Sequence, residues 1–388
     1  MGDSSGASVT LASMTESPPG LAAFRSFFLE EFEARSPEIE ATDRIPDDLI
    51  RRTAELGALK LTIPSEWGGF GMMTLEAQPY IEAAAMGPPS GRMLVHIGNG
   101  LWRPLLRFGN PEQQRIVAGM GRGEQCVAFA HTEKSGGPGR DLHTRAQLSG
   151  STWRVSGEKH LITFADRADW FILFAATDDR RTSESMSAFV VPRDLPGLEI
   201  DATQTTMGLM GNGHAWLRFD GMEISDELRL GEVGQGQEIV RSFLTYSILS
   251  LTTCMVGLAQ RAMDEAVAYA TRRRTFGKLI AERQIIQAHL ADMEADVIAG
   301  RSLVRALATG YDAGADMEAF AAAVKLFCLN MVSRVTDVSL RVHGGFGYTK
   351  EAAIERIYRD ARGFWFEEGS QEIQQLIVAR NVLARATP

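Results

Sequence analysis

Apolar residues recur every third or fourth position in LAAFRSFFLEEF (residues 21–32) and DDLIRRTAELGALKL (47–61), the spacing that lines one face of an α-helix. Asp47 is placed to cap the second helix. Glycine and proline breaks follow at IPSEWGGFG and MGPPSG. The pattern changes near residue 125. CVAFAHT, TWRVSGEKHLIT, DWFILFAAT, MSAFVVP and HAWLRFDGMEI are short alternating or β-rich runs, separated by turn sequences such as LSGS and DLPG. From residue 236 the helical period returns in long pieces. EIVRSFLTYSILSLTTCMVGLAQRAMDEAVAYATRRR runs for more than 30 residues without a proline, and four further helical stretches follow it. The expected fold class is α+β: a polar tail over 1–20, an N-terminal helical domain over 21–124, a β-barrel or sandwich over 125–235, and a C-terminal four-helix bundle over 236–388. No unit of 20–50 residues repeats, which excludes a solenoid.

With 388 residues, 45% of them hydrophobic and 23% charged, the chain has the balance of a globular protein of two or three domains. A formal net charge of -9 argues against a nucleic-acid binder, which needs a basic face. No run of about 18 consecutive apolar residues occurs, so no membrane span is expected. Cys126, Cys254 and Cys328 form no CxxC pair, which points away from a disulfide framework or a metal site and towards a reducing compartment. The first basic residue is Arg25, after Asp3 and Glu16. Neither a secretory signal nor a mitochondrial presequence has that pattern, and the chain is expected to be cytoplasmic or the mature form of something already trimmed.

The chain has no GxGxxG after a strand, no Walker lysine loop, no GxSxG elbow and no HExxH. Four segments hold candidate chemistry. RRRTFGKLIAERQ (272–284) concentrates arginines at a helix end, where they can neutralise a diphosphate or simply complement the helix dipole. RVHGGFGYTKE (341–351) has Gly344 and Gly345 side by side, which allow close backbone approach to a ligand or merely end a helix. FWFEEGSQEIQ (364–374) sets Glu367 and Glu368 among aromatics. A carboxylate sealed there would have a raised pKa, as suits a general base, whereas exposed acids before a cap would not. CVAFAHTEKSGGPGRDL (126–142) runs a strand into a glycine-rich loop, either a shelf for a flat cofactor or an ordinary turn.

Taken in order, these segments resemble the acyl-CoA dehydrogenase family over essentially the whole chain. IPSEWGGFGM, AFAHTE, EKHLIT, RRTFGKLIAERQ, HGGFGY and EGSQEIQ are each similar to a family motif and stand in the family's order. The resemblance implies an FAD enzyme. Phe129, His131 and Thr132 would line the flavin pyrimidine, and Leu161, Ile162 and Thr163 its dimethylbenzene side and N5. Arg273, Thr275 and Phe276 would hold the diphosphate of a neighbouring subunit's FAD, with Gln284, Arg341, Gly344 and Gly345 on its adenosine-diphosphate portion. Ser370 and Glu372 would reach the adenosine side. Because diphosphate contacts come from a second subunit, a homodimer or homotetramer is implied, with an electron-transfer flavoprotein or similar electron acceptor.

By the same resemblance Glu368, just before Gly369-Ser370, is the base that removes the α proton of an acyl-CoA. Its backbone N–H would hold the thioester carbonyl. Gly369, Arg380 and Thr245 are the implied substrate contacts, and no metal is implied. Several positions depart from the family pattern. Glu367 replaces an aromatic residue, Arg341 a glutamine, and His131 an aliphatic residue. Thr245 and Ile248 stand where an Asp and an Arg are usual, and the loop from Lys134 to Asp141 is one residue longer. The departures leave open a carrier-protein thioester, a same-fold oxidase or monooxygenase, or a partner subunit of a mixed tetramer.

Overall fold

The computed structural model describes residues 17–134, 142–180, 183–201 and 204–386. The loop from Lys134 to Asp141 falls almost entirely outside these residues, as does most of the polar tail. Seven N-terminal helices run from α1 (Leu21–Ser26) to α7 (Pro111–Gly121), among them α3 (Asp47–Glu55), α4 (Thr74–Ala85) and α5 (Pro89–Gly100). The expected Asp47 cap is not formed. Pro46, fixed in an extended conformation, precedes the helix, and Asp47 lies in the first turn, where its charge still complements the dipole.

Eight strands form one sheet: β1 (Val127–Ala130), β2 (Arg145–Ser149), β3 (Thr152–Ile162), β4 (Trp170–Ala176), β5 (Met186–Pro192), β6 (Leu198–Ile200), β7 (Ala215–Ser225) and β8 (Arg229–Leu230). Their order is β6-β7-β3-β2-β4-β5-β8, with β1 added parallel to β4. β4 shows why its sequence is apolar throughout. Phe171 and Leu173 enter a core on one face, while Ile172 and Phe174 enter another shared with α7 and the first bundle helix. A strand buried on both faces has no polar side to alternate. Gly157 is needed where β3 bends. Its φ is +140°, and a Cβ there would lie 2.5 Å from the Cα of Thr144.

The C-terminal region consists of α8 (Gly236–Ala270), a small hairpin of β9 (Arg274–Thr275) and β10 (Lys278–Leu279), then α9 (Gln284–Asp312), α10 (Glu318–His343), α11 (Ala353–Gly363) and α12 (Gln371–Ala386). α8 is the centre of the molecule and contacts α4, α5, α9, α10 and α11. Every residue from Tyr246 to Ala259 is buried, as expected of a helix covered on all sides. By length and composition α8 and the segment Glu318–Tyr348 could each cross a membrane. In the fold, 83% and 56% of their apolar windows are buried inside the protein.

Candidate active site

α11 and α12 are joined by a short turn that carries Glu367 and Glu368. Glu368 has a φ of 53° and Gly369 one of 86°, so the chain makes a left-handed corner there. The corner is pinned from α10. Lys325, fully buried, donates from Nζ to the backbone carbonyls of Glu367, Glu368 and Gly369 at 2.5, 3.0 and 2.6 Å. Gln374 of α12 adds a bond to the Glu368 carbonyl at 3.1 Å. An ammonium has three donors, and here each meets one of three successive carbonyls.

The two carboxylates face different partners. Glu367 forms a bidentate pair with Arg92 of α5, at 2.7 and 3.2 Å. The Arg92 guanidinium also lies 4.4 Å from the Phe364 ring centroid. Glu368 Oε1 accepts a 2.6 Å hydrogen bond from the Ser247 hydroxyl of α8 and lies 3.8 Å from His96 Nε2 of α5.

These contacts correct the expectation of a raised carboxyl pKa. Burial does push Glu368 up. The His96 ring, the Ser247 hydroxyl and the Lys325 ammonium outweigh it and hold the group below the usual glutamate range. The flanking aromatics do not seal the acid: Phe366 is 82% exposed, and Phe364 is committed to Arg92.

An aromatic bridge links this corner to β1. His96 meets Phe243 of α8 at 6.1 Å, Phe243 meets Phe129 at 5.3 Å, and Phe174 touches both Phe129 and His131. Among the described residues His131 Nε2 is buried without a hydrogen-bond partner. Burial and the Lys159 charge push the imidazole down to about 4, so it is neutral. Beyond it, Lys159 of β3 clasps the Glu133 carboxylate at 2.8 Å and the His131 carbonyl at 3.2 Å. Glu133 in turn accepts from the backbone N–H groups of His143 and Thr144. This clasp ties Phe129, His131 and Thr132 to the end of β3, where Leu161, Ile162 and Thr163 lie. Leu161 is 41% exposed at a φ of 53°. Leu161, Phe276 and Glu368 are three of the six non-glycine residues in the left-handed region among the described residues, a concentration typical of functional sites.

A separate surface cleft gathers Arg273, Thr275, Gly344 and Gly345 beside Tyr269 and Arg272. No carboxylate pairs with Arg272, Arg273 or Arg274 among the described residues, so their charge is available to an anion. Phe276 projects from the hairpin, 97% exposed, and Arg283 holds Thr275 from behind. Gln284 begins α9 on the surface, and Arg341 is paired with Asp337 at 3.0 Å. No hydrogen bond or ion pair among the described residues joins this cleft to Glu368. Ser370 and Glu372 stand at the start of α12, Arg380 is exposed farther along it, and Thr245 is half-buried two residues before Ser247.

Four residues around the corner were not singled out by sequence: Lys325, Arg92, His96 and Ser247. Lys325 had a signal, as the lone cation in the apolar run AAAVKLFC. His96 had none, because its partners lie on a helix about 150 residues away.

The residues fit a flavin dinucleotide. An exposed aliphatic shelf at Leu161, a buried imidazole nitrogen with no partner and an arginine cleft beside two glycines supply apolar, polar and anion-binding surfaces in turn.

Three family models match the chain: the acyl-CoA dehydrogenase N-terminal domain over residues 21–124, the middle domain over 128–222 and the C-terminal domain over 234–383. The 3-(aryl)acrylate reductase of Clostridium sporogenes is 30% identical, over 92% of this chain and 96% of its own. The mitochondrial short-chain specific acyl-CoA dehydrogenase of Bos taurus is 32% identical, over 92% and 88%. Among solved structures, butyryl-CoA dehydrogenase from Megasphaera elsdenii superposes with a TM-score of 0.89 at 26% identity, covering 94% of this chain and 97% of its own.

Proposed function

Because the chain belongs to the acyl-CoA dehydrogenase family, we propose that it catalyses α,β-dehydrogenation of an acyl-CoA thioester, with Glu368 as the base. The observation that carries this reading is the placement of Glu368. Its carboxylate is 22% exposed, is bonded to Ser247 and sits in a left-handed corner held by Lys325. A general base has to be aimed before substrate arrives, and the same surroundings lower the Glu368 pKa against the effect of burial.

The β1–β3 shelf and the arginine cleft of a second subunit would hold FAD, which would supply the acceptor for the β hydrogen as hydride. The protein's own residues do the rest. The Glu368 backbone N–H holds the thioester carbonyl, which stabilises the enolate that develops as the α proton leaves. The Glu368 carboxylate takes that proton. Phe129, Phe174 and Phe243 exclude water from the space between shelf and base. Arg273, Thr275 and Phe276, with Gln284, Arg341, Gly344 and Gly345, serve the dinucleotide of the neighbouring subunit, which makes the active unit a homodimer or homotetramer. Ser370 and Glu372 contact the adenosine side, and Gly369, Arg380 and Thr245 the substrate. An electron-transfer flavoprotein is the fitting reoxidant.

Anaerobic mixing of the FAD-loaded protein with a panel of acyl-CoAs, watching the visible flavin band, tests the reading. Rapid bleaching by at least one member is expected. A flavin that no thioester bleaches, or a Glu368→Gln variant that bleaches as fast as the parent, overturns it.

A further inference from the structure

Glu368 ends a hydrogen-bonded chain that begins at Ser250 of α8. Ser247 and Ser250 are three residues apart, on one face of that helix, and both meet the ring of His96. His96 Nδ1 is 3.0 Å from Ser250 Oγ, and Nε2 is 3.0 Å from Ser247 Oγ. All three residues are buried, His96 being 3% exposed. The direction of the two bonds nearest Glu368 follows from the carboxylate, which can only accept. Ser247 gives its one hydroxyl proton to Glu368 Oε1, so its oxygen must accept from His96. Nε2 therefore carries a ring hydrogen, and Nδ1 pairs with Ser250 Oγ on the other side of the ring. The hydrogens on Nε2 and on Ser247 Oγ both point towards Glu368. Oε1 is thereby occupied. Oε2 has no partner among the described residues, which leaves it as the oxygen free to take a proton.

We propose that His96 is a positioning residue: acting through Ser247, it fixes Glu368 as a carboxylate with Oε2 turned to the substrate. The inference rests on the reading of Glu368 as the base. Its physical content is a bias against the protonated acid, because a chain of donors aimed at Oε1 favours the charged form. The other charged and titratable groups facing Glu368 are Lys325 from α10 and His131, just after β1. Its neighbour Glu367 is paired with Arg92 of α5. All of these remain in the variants below, so a change in Glu368 ionisation isolates the chain.

The test uses the FAD-loaded protein and two readouts. The first needs no turnover: infrared titration of the buried carboxyl band, identified as the one missing in Glu368→Gln. The second is the pH profile of single-turnover flavin reduction by butyryl-CoA, or by whichever acyl-CoA of the panel bleaches fastest. Ser247→Ala and His96→Phe are expected to move the Glu368 titration to higher pH. They should also slow reduction about tenfold, the worth of one hydrogen bond to a charged group, with little change in half-saturating substrate. His96→Gln should restore both, since its amide can donate to Ser247 while accepting from Ser250. If His96→Phe does not fold, Ser247→Ala still decides. A titration unmoved by Ser247→Ala, or a His96→Gln variant no better than His96→Phe, overturns the proposal. If Glu368→Gln reduces the flavin normally, the base reading itself fails and this inference with it. If Glu368→Gln is inactive while Ser247→Ala titrates like the parent, only the positioning role of His96 fails.

Discussion

Arg92 and Glu367 meet in a bidentate ion pair one residue from the base, with the guanidinium 2% exposed and the carboxylate 18% exposed. The adjacent acids therefore do different work. Glu367 neutralises a buried cation, and Glu368 faces Ser247. Glu368→Gln should keep its fold and slow flavin reduction by about 10²–10⁴-fold, the usual worth of a general base. Glu367→Ala should act on stability, because it strands the Arg92 charge; breaking a buried pair costs about 3–5 kcal/mol. Thermal unfolding and stopped-flow flavin reduction on both variants separate the roles. An inactive Glu367→Ala with unaltered melting would contradict this division.

The Lys325 ammonium is the main restraint on the base corner. In Lys325→Met the carbonyls of Glu367, Glu368 and Gly369 lose their shared donor, and a buried carbonyl left unpaired costs about 1–3 kcal/mol. The side chain is of similar length, so packing is largely kept. A lower melting temperature and a slower reduction rate should appear together. Lys325→Arg should not rescue either, since a planar fork cannot direct three donors at three successive carbonyls of one turn.

The architecture was legible because its periods are strong. Helical spacing, then β-rich runs, then helices of 26 to 35 residues leave few ways to pack. Glu368 could be read from its neighbours in sequence, and the arginine cleft from RRRTFGK. What escaped was the surroundings of the base. Local pattern offered either an acid sealed among aromatics, with a raised pKa, or exposed acids before a cap. The real partners of Glu368 come from α5, α8 and α10, which are brought together only by the burial of α8. The short strands Arg145–Ser149, Leu198–Ile200 and Arg229–Leu230 also escaped, being too short or too polar to show a period of two.

His131 gives acid stability a definite sign. Burial and the Lys159 charge lower its pKa from 6.5 to about 4 in the folded chain. The unfolded chain thus binds the proton more readily, and acidification between those two values favours unfolding. His131→Leu removes that linkage. Its stability relative to the parent should rise as the pH falls from 6.5 towards about 4, by an amount on the order of 3 kcal/mol at the acid end. Urea unfolding across that range measures it. Parallel curves for parent and variant would show that His131 is not buried neutral.

Among the described residues Arg273 has no carboxylate partner, and it lies in a cleft that no described hydrogen bond or ion pair joins to Glu368. If the cleft serves the dinucleotide of a second subunit, the site of each subunit is incomplete alone, and subunit mixing reveals it. Arg273→Glu homo-oligomers should retain helicity but lose FAD, since each lost charge-assisted bond to phosphate costs about 1.5–3 kcal/mol, roughly 10–100-fold in affinity. Glu368→Gln homo-oligomers should hold FAD and fail to reduce it. When the two are unfolded together and reassembled with FAD, half of the sites in a mixed dimer pair a native Glu368 on one subunit with a native Arg273 on the other. Those sites should bind FAD and be bleached by substrate, although neither parent preparation reacts. Were Arg273 to serve the FAD of its own subunit, no mixed site would hold both intact residues and the mixture would stay inactive.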